Sequence, residues 1–323
     1  MNKIKKLIYG HVSFVRKVYS KYIASRYEHL YKKSPRLAAE TYYASIHGGV
    51  KPNLDDPKTL DEKNIWLALN TDTDIWARLS DKYKVRDYVK ECGAEEILND
   101  LYCKWDHVED VDFSGLPNEF VLKSNNASGT VIVVDDKHEI DEEDIKKTMR
   151  KWLPKKVTYG YIGYNGHYLK IKPCLIAEKL LHDNLSVGLP IDYKFFCAYG
   201  KPFLIEVMQG RQVGSHNRRS TYYDKEWNLI FDRNVVGAGA FLEKPQSYEN
   251  MISYCDRLAR QFPFVRVDFY EIDGKPLFGE LTFTPSLDYF TEEMRVKYGD
   301  YVDISSLRGR LNVKQTFNAN VCL

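Results

Sequence analysis

The chain of 323 residues is 44% hydrophobic with a formal net charge of +2, which is enough apolar material for the cores of two or three compact units. The charge is uneven, because residues 1–33 contain nine Lys or Arg and one acid, Glu28, so that the rest of the chain is mildly acidic. An acidic body lacks the basic stripe of a nucleic-acid-binding protein, and we expect no nucleic-acid partner.

The six cysteines are scattered, without a C-x-x-C pair or a histidine spacing suited to zinc, and they indicate reduced thiols in a cytosolic protein. No apolar run approaches the ~20 residues of a membrane span. The N-terminal stretch is positive but has neither the continuous apolar segment nor the cleavage site of a signal peptide. We therefore expect a cytoplasmic protein.

Residues 1–33 are predicted to form a basic amphipathic helix. Apolar residues recur at helical spacing from Ile4 to Ile23, with lysines and arginines between them. Such a helix either lies on an anionic membrane surface as a peripheral contact or packs on the body with its charges in water. The sequence leaves both interpretations open.

Residues 34–115 are predicted to be mainly helical. In "DPKTLDEKNIWLAL", Thr59 precedes Glu62 by three residues and an apolar run follows, which is typical of a capping box at a helix N-terminus. A second helix is predicted in "SDKYKVRDYVKECG", where Gly93 ends the pattern.

After residue 116 the pattern changes to strands. Strands are predicted in EFVLK (119–123), TVIVVDD (130–136), YLKIKPCLIAEKLL (168–181), DYKFFCAYGKPFLIEVMQ (192–209), STYYDKEWNLIFD (220–232) and both arms of 266–285. Helical patterns interrupt them at 141–153 and 247–262. Because strands and helices do not alternate regularly, the sequence predicts an α+β fold with mostly antiparallel sheets.

The stretch "RVDFYEIDGKPLFGELTFTP" (266–285) is predicted to be a β-hairpin. Its apolar residues stand at odd positions on both arms, for example Val267 and Leu281. A two-residue Asp-Gly loop would turn these two sets to opposite faces. We therefore predict a three-residue loop, Ile272-Asp273-Gly274, with Gly274 left-handed, so that Arg266 pairs with Glu280.

With this loop, five polar residues at even positions of the two arms share one face. They are Arg266, Asp268, Glu280, Thr282 and Thr284. Two carboxylates on one face suit Mg²⁺, which takes oxygen ligands and completes its shell with phosphate and water. The alternative is a solvent-facing ion pair between Arg266 and Glu280.

The stretch "EFVLKSNNASGTVIVV" (119–134) is predicted to be a strand, a small polar loop and a strand. Lys123 ends the first strand, and small polar loop residues let backbone N–H groups turn toward an anion. The loop residues are Ser124, Asn125, Asn126, Ala127, Ser128 and Gly129. The stretch is neither a P-loop nor a dinucleotide fingerprint, so it indicates either a phosphate-binding loop or an ordinary hairpin loop.

Two further apolar strands carry charged residues. In "CLIAEKLLHDN" (174–184) the strand runs into Glu178 and Lys179, which indicates either the end of a buried strand or a hinge that holds a flat base. In "IDYKFFCAYGKP" (191–202), Lys194 lies in an apolar strand. A lysine is costly there unless its ammonium reaches water or meets an anion.

In this order, these motifs resemble the ATP-grasp superfamily. Upstream, "NLDDPKTLDEKNIWL" and "SDKYKVRDYV" are similar to its TupA-like branch, which is found with genes for surface polysaccharides. The resemblance runs from about residue 40 to 290 and implies an ATP-grasp fold, with two antiparallel-sheet subdomains enclosing ATP. The implied organisation is the basic helix (1–33), a mainly helical region (34–115), a lid subdomain (116–180) and a C-terminal subdomain with the metal site (181–323).

The resemblance also implies two cofactors, ATP and Mg²⁺, and the residues that hold them. The implied nucleotide contacts are Lys82, Lys123, the loop residues Ser124, Asn125, Asn126, Ser128 and Gly129, the adenine hinge Glu178, Lys179 and Leu181, and Asp183 or Asp192 at the ribose. Lys194 would contact phosphate, and Arg266 would stabilise the charge of the transferring group. Asp268 and Glu280 would bind Mg²⁺. The third metal ligand is Thr282 or water, because this chain has Glu-Leu-Thr where many relatives have Glu-x-Asn.

The implied reaction activates a carboxylate to an acyl phosphate, which an amine then attacks to give an amide. This chemistry asks the protein mainly for positioning and charge neutralisation. The expected substrate is a small molecule or glycan that carries a carboxylate. The basic loop "GRQVGSHNRRS" (210–220), with Arg211, Arg218 and Arg219, is either its binding site or a solvated loop.

Other functions remain open from the sequence. A glycosyltransferase usually has Asp-x-Asp at a strand end, and "LDD" (54–56) and "VDD" (134–136) match this poorly. An ATP-grasp kinase would share the whole ATP-binding half. A non-catalytic binding module would not need the set of charged residues at the hairpin and the loop.

Overall fold

The computed structural model describes residues 22–153, 158–186, 188–212, 219–233, 242–287 and 290–308. Most of the predicted basic helix therefore lies outside the described residues, while residues 22–33 are helical and form α1. Within the described part of the chain, no helix is long and apolar enough to cross a membrane.

The remaining helices include the two predicted near the N-terminus. They are α2 (Pro35–Ile46), α3 (Leu60–Asn70), α4 (Asp74–Ser80), α5 (Val85–Glu91), α6 (Glu142–Met149), α7 (Tyr248–Ala259), α8 (Glu292–Gly299) and α9 (Ser305–Arg308). Thr59 Oγ1 accepts a 3.3 Å hydrogen bond from the N–H of Glu62, and Glu62 Oε2 accepts one of 3.1 Å from the N–H of Thr59. This confirms the capping box at the start of α3.

The strands form two antiparallel sheets. They are β1 (Leu101–Trp105), β2 (Phe120–Ser124), β3 (Val131–Val134), β4 (Leu175–Glu178), β5 (Asp192–Ala198), β6 (Lys201–Gln209), β7 (Arg219–Tyr223), β8 (Leu229–Arg233), β9 (Val265–Ile272) and β10 (Lys275–Thr282). The smaller sheet has the order β1-β4-β2-β3, and the larger sheet has the order β10-β9-β5-β6-β7-β8. The α+β fold with antiparallel sheets is confirmed.

Two strand predictions differ from the structure. Leu101–Trp105 is a strand that pairs with β4 in the region predicted to be mainly helical, and its half-buried side chains show no apolar alternation that could announce it. Within 168–181, only Leu175–Glu178 is a strand, because Gly166–Lys170 forms a 3₁₀ helix and Pro173, which has no N–H to donate, precedes the strand.

Each sheet has its own apolar core. On the larger sheet, Phe195, Val267 and Phe269 are fully buried, and the Phe195 ring lies 5.9 Å from that of Tyr248 on α7. The smaller sheet packs against α6, where Met149 joins a separate apolar cluster. Because each sheet buries its apolar side chains in a separate core, polar side chains can lie in the space between the two sheets.

The hairpin has a two-residue turn, so the predicted three-residue loop is wrong. Ile272 pairs directly with Lys275, and Asp273 and Gly274 have φ of 51° and 71°. Two successive left-handed residues form the tight turn that matches the twist of antiparallel strands. The predicted pairing of Arg266 with Glu280 is therefore also wrong, since Arg266 pairs with Thr282.

The predicted shared face is nevertheless present, because a β-bulge restores the alternation. The register shifts between Phe278 and Glu280, and Glu280 then pairs with Asp268. The extra residue is Gly279, where an added Cβ would lie 3.0 Å from the carbonyl oxygen of Asp268. A bulge of this kind leaves one residue unpaired and turns the following side chains to the other face.

Candidate active site

A row of polar side chains crosses the larger sheet on the face opposite to the apolar core. Glu280 pairs with Asp268, Asp268 with Lys194, and Lys194 with Glu206. Directly opposed residues in neighbouring strands have Cβ atoms roughly 4.5–5.5 Å apart. The strand order β10-β9-β5-β6 therefore brings four charged side chains from distant parts of the chain into contact range.

Asp268 is buried in the centre of this row and is held by two cations. Arg266 Nε lies 2.6 Å from Asp268 Oδ1, and Arg266 Nη2 lies 2.6 Å from Oδ2. Lys194 Nζ lies 2.7 Å from the same Oδ2. Asp268 is 1% exposed and Lys194 is 7% exposed. Of the two alternatives that the sequence left open for this lysine, water or an anion, the structure therefore shows a buried anion.

Glu280 extends the row to solvent. Its Oε1 accepts hydrogen bonds from Arg266 Nη2 at 3.0 Å and from Thr282 Oγ1 at 2.8 Å. Its side chain is 41% exposed. Thr284, the fifth polar residue of the predicted face, has a buried hydroxyl without a hydrogen-bond partner in the described structure.

The charges around Glu280 favour its ionised form. Burial alone would raise the pKa of Glu280, but attraction to Lys82 and Arg266 outweighs this effect. Together with Lys194 and the hydrogen bond from Thr282, these cations lower the pKa to about 2. Glu280 is therefore a carboxylate at neutral pH.

A cavity of about 180 Å³ lies between the two sheets and exposes Glu280 at its wall. Of the predicted site residues, Lys82, Lys123, Ser128, Gly129, Glu178, Leu181 and Glu280 line it. Arg86, Asn99, Arg211 and Tyr270 also line it and were not predicted as nucleotide contacts. Tyr270 could have been found, since it shares the even positions of the hairpin with Asp268.

The polar loop after β2 is held by its own side chains. Asn125 Oδ1 accepts a 2.8 Å hydrogen bond from the N–H of Cys174, and Asn125 Nδ2 donates to the carbonyl of Lys172 at 3.0 Å. Ser124 Oγ lies 2.5 Å from Thr130 Oγ1. Ser124, Asn125 and Asn126 are buried, so they shape the loop, while Ser128 and Gly129 face the cavity.

Lys82 ties this loop to the turn before α5. Its backbone N–H donates to the carbonyl of Asn125 at 3.0 Å, and its Nζ donates to the carbonyl of Ala127 at 3.0 Å. Burial is the largest influence on the pKa of Lys82 and lowers it, although Glu280 opposes this shift. Among the described residues, no carboxylate lies at ion-pair distance from the Lys82 ammonium, which is therefore well suited to meet an anion in the cavity.

Lys123 in β2 and Glu178 in β4 line the cavity and form an ion pair. Lys123 Nζ lies 2.8 Å from Glu178 Oε2, and Arg86 Nη1 lies 3.5 Å from Glu178 Oε1. Burial acts to lower the pKa of Lys123, but Glu178 more than compensates and the pKa is raised. Lys82, Lys123 and Arg86 together make this part of the cavity attractive to phosphate.

The predicted hinge begins at Glu178, the last residue of β4. Lys179 donates its backbone N–H to the carbonyl of Asp100 at 2.9 Å, and its carbonyl accepts a 2.9 Å hydrogen bond from Asn99 Nδ2. Leu181 contributes an apolar side chain to the cavity. The backbone N–H and the carbonyl of Lys179 are thus both hydrogen-bonded within the protein in this conformation.

Asp183 and Asp192 are not among the described residues that line the cavity. Asp183 accepts hydrogen bonds from the N–H groups of Leu185 and Ile191, at 2.8 and 2.9 Å, and closes the turn before β5. Asp192 lies within the larger sheet and is buried. Neither carboxylate thus reaches the cavity wall in the described structure, and a ribose contact by either one stays a prediction.

The basic loop 210–220 is described only in part. Arg211 lies at the cavity wall, donates from Nη2 to the carbonyl of Pro190 at 3.0 Å and sits 5.9 Å above the Tyr270 ring. Arg219 is buried in β7, and Arg218 lies outside the described residues. Of the two described arginines, one lies at the cavity wall and the other within β7, and joint binding of a carboxylate by all three stays a prediction.

The hairpin offers carboxylate and hydroxyl oxygens, which are the donor atoms that Mg²⁺ takes. Among the described residues, no group of three or more His, Cys, Asp or Glu side chains clusters in a way that could hold a metal ion. Asp268, Glu280 and Thr282 offer two carboxylates and a hydroxyl, a donor set that fits Mg²⁺ when phosphate oxygens and water supply the remaining ligands.

Among solved structures, the chain is similar to the L-amino acid ligase from Bacillus licheniformis, with 13% identity, a TM-score of 0.47, and coverage of 75% of this chain and 52% of that chain. It is also similar to the D-alanine–D-alanine ligase from Bacillus anthracis complexed with ATP, with 17% identity, a TM-score of 0.42, and coverage of 72% and 67%. The chain thus spans about half the length of the first protein. No curated protein sequence is significantly similar to it.

A family model matches most of the chain. The model, described as TupA-like ATPgrasp, matches residues 62–302, which run from α3 past α8 and include both sheets and the cavity between them. Every residue that the sequence proposed for nucleotide or metal binding lies within this range. The chain therefore belongs to the TupA-like ATPgrasp family.

Proposed function

We propose that the protein is a carboxylate–amine ligase that forms an acyl phosphate and attaches an amide-linked group to a cell-surface polysaccharide or its precursor. The observation that supports this proposal most strongly is the arrangement around one cavity. Glu280 on the larger sheet lines a cavity of about 180 Å³ together with Lys82 and Lys123, and Arg266 links Glu280 to the buried Asp268. Oxygen ligands and cations placed opposite each other suit a metal-bound polyphosphate.

In this proposal the nucleotide lies between the sheets. Lys82, Lys123 and the backbone of 127–129 contact its phosphates, and Leu181 lies against the base. Mg²⁺, held by Glu280, Asp268 and the Thr282 hydroxyl or a water, neutralises phosphate charge when it is bound. The cavity is smaller than the ~300 Å³ of common ligand pockets, so the loop 124–129 moves outward, breaking the contact of Lys82 with Ala127, when the nucleotide enters.

The chemistry has two steps. A carboxylate oxygen of the substrate bonds to the γ-phosphorus of ATP as the bond to the β-phosphate oxygen breaks, which yields an acyl phosphate and ADP. An amine then bonds to the acyl carbon, inorganic phosphate leaves, and the amine proton passes to water or phosphate. Arg266 and Lys194 stabilise the negative charge that both steps concentrate beside the larger sheet.

The substrate is proposed to be a small molecule or glycan with a carboxylate. Both Nη atoms of Arg211 already have protein partners, so Arg211 holds the wall of the cavity, and the remainder of the basic loop is the proposed carboxylate contact. The helix predicted in 1–33 is proposed to bring the enzyme to an anionic membrane surface, which sedimentation of the full chain with anionic vesicles would measure.

Replacing Glu280 by glutamine tests the proposed metal role. Glu280→Gln keeps the shape of the side chain but removes the charge that faces the cavity, and we expect turnover to fall by about 10²–10³-fold. The measurement is Mg²⁺-dependent release of ADP in the presence of a carboxylate and an amine. The control is Glu249→Gln, since Glu249 lies on α7 with a side chain that is 76% exposed. Normal turnover by Glu280→Gln would contradict the metal assignment.

The same assay distinguishes a ligase from a kinase. Hydroxylamine added in place of the amine attacks an acyl phosphate and gives a hydroxamate. A hydroxamate that forms only with ATP supports the acyl phosphate, whereas a stable phosphorylated acceptor would identify an ATP-grasp kinase.

A further inference from the structure

Asp192 lies where two cations of the site meet. Its Oδ2 is 2.7 Å from Lys194 Nζ and 3.1 Å from Arg211 Nη1. Asp192 is 3% exposed and is not one of the described residues that line the cavity. Any influence of Asp192 on a bound nucleotide therefore has to act through its two cationic partners.

Lys194 is shared between two carboxylates at equal distance. Its Nζ lies 2.7 Å from Asp192 Oδ2 and 2.7 Å from Asp268 Oδ2. The ion pairs continue on both sides as an alternating chain of three cations and three carboxylates. In order, they are Arg211, Asp192, Lys194, Asp268, Arg266 and Glu280. This row of ion pairs has no net charge, so an ion that binds beside it leaves an excess of positive charge.

Metal binding by Asp268 would require it to change partners. Both of its oxygens already accept hydrogen bonds from Arg266, and Oδ2 also accepts one from Lys194. A divalent cation adds two positive charges beside these groups, and the repulsion between like charges favours the withdrawal of one of the two cations. A buried cation that loses its only anion is strongly unfavourable.

Lys194 is the cation that can withdraw at least cost. Arg266 pairs with Asp268 and Glu280, which are the two carboxylates that a metal would occupy. Lys194 instead keeps Asp192, which is not one of the described residues that line the cavity. The second carboxylate of Lys194 is therefore available whether or not Asp268 is engaged by metal.

We propose that Asp192 is a positioning residue that holds Lys194 while Asp268 exchanges this lysine for Mg²⁺. This inference rests on the proposed metal role of Asp268 and Glu280. Lys194 stays charged beside the phosphates because Asp192 remains its partner. Asp192 also keeps its ion pair with Arg211, and Asp268 becomes free to accept the ion. Asp192 thereby sets the affinity of the site for metal without contacting either metal or nucleotide.

The test is Mn²⁺ binding to the full chain in the presence of ADP, followed by electron paramagnetic resonance of free Mn²⁺. In Asp192→Asn, Lys194 depends on Asp268 alone, and we expect the Mn²⁺ dissociation constant to rise about 10–100-fold, as for other residues that support metal ligands. ADP binding without metal should not weaken. A merely structural role of Asp192 would weaken both.

A double variant separates the action of Asp192 through Lys194 from other effects. Asp192→Asn combined with Lys194→Met removes one negative and one positive charge, and Asp268 is then released from the lysine altogether. We expect Mn²⁺ affinity to recover toward that of the wild type, as in a double-mutant cycle of coupled residues. Failure of the double variant to bind Mn²⁺ better than Asp192→Asn would overturn the inference.

A crystal structure of the wild-type chain with Mg²⁺ and ADP provides a second measurement that needs no variant to fold. Lys194 Nζ should remain at ion-pair distance from Asp192 and leave Asp268, and retention of the Lys194–Asp268 pair beside a bound ion would overturn the inference. A wild-type chain that binds no Mn²⁺ with ADP would overturn the proposed function and this inference together. Equal Mn²⁺ affinities of wild type and Asp192→Asn would overturn this inference alone.

Discussion

Lys194 shows what can be deduced about a single buried charge from the sequence. A lysine within an apolar strand requires water or an anion, and the sequence left the choice open. The structure supplies two carboxylates, Asp192 and Asp268, each 2.7 Å away. Their identity was not predictable, because Asp268 is 74 residues distant in the chain and reaches Lys194 only through the pairing of β5 with β9.

His167 is a second buried titratable residue, and it lies outside the proposed site. It is 1% exposed, and neither ring nitrogen has a hydrogen-bond partner in the described structure. The Trp76 and Phe283 rings approach it edge-on, with centroids 5.7 and 6.4 Å away. Burial in this apolar contact lowers the pKa of His167 to about 3, so the folded protein holds it neutral.

His167 is therefore expected to make the fold sensitive to acid. In the unfolded chain an exposed histidine has a pKa of about 6.5, so below that pH the unfolded state binds a proton that the folded state does not. The contribution of neutral His167 is present above pH 6.5 and is lost as the pH falls toward 3. Between pH 7 and 5, this loss should amount to about 2 kcal/mol of unfolding free energy.

The measurement is urea unfolding of wild type and His167→Phe at both pH values. The phenylalanine ring retains the aromatic contacts but has no titrating group, so the difference in stability between the two proteins should shift by this amount. His182→Gln is the control, since His182 is exposed and pairs with Glu119. An unchanged difference between wild type and His167→Phe would contradict the assignment.

The hairpin of β9 and β10 shows which features of an element follow from sequence. The period of two placed Arg266, Asp268, Glu280 and Thr282 on one face, and this prediction is confirmed by their hydrogen bonds. The parity argument requires only one extra residue somewhere in the hairpin, and a three-residue turn and a bulge satisfy it equally. The structure places that residue at Gly279, where the two strand backbones approach closely.

Gly279 is consequently the backbone position on which the site depends most. An added Cβ would lie 3.0 Å from the Asp268 carbonyl oxygen and 3.4 Å from its Cβ, so Gly279→Ala should push the two strands apart. We expect a loss of about 1–3 kcal/mol of unfolding free energy, as for other overpacked positions, and weaker Mn²⁺ binding with ADP. Gly115→Ala is the matched control, because its Cβ would meet nothing within 4 Å.

Thermal unfolding and Mn²⁺ titration of both glycine variants check this prediction. If Gly279→Ala were as stable as Gly115→Ala and bound Mn²⁺ like the wild type, the close approach at the bulge would have no part in aligning Asp268 with Glu280.

On the scale of the whole molecule, the candidate site exists only where the two sheets face each other. The smaller sheet and its loop contribute Lys123 and Gly129, and the larger sheet contributes Glu280 and Tyr270. The sequence predicted most of the charged residues, but it could not show that Asp192 lies inside the larger sheet. Whether a charged residue lies inside a sheet or at the cavity depends on how distant strands pair, and local sequence patterns do not determine that pairing.

A nucleotide bound between the sheets should protect both of them at once. We expect that ADP with Mg²⁺ slows backbone hydrogen exchange in 124–131 and in 265–282 together, because a ligand that binds only the folded form stabilises it by about 2.7 kcal/mol at 100 times its dissociation constant. With ADP and a chelator, protection should remain at 124–131, which Lys82 contacts and Lys123 precedes, and diminish at the hairpin, where the carboxylates need the metal. Exchange measured by mass spectrometry on wild type and Glu280→Gln separates the two contributions, since the variant with Mg²⁺ should behave like the wild type without it. Protection confined to the smaller sheet under all conditions would mean that the larger sheet does not take part in nucleotide binding.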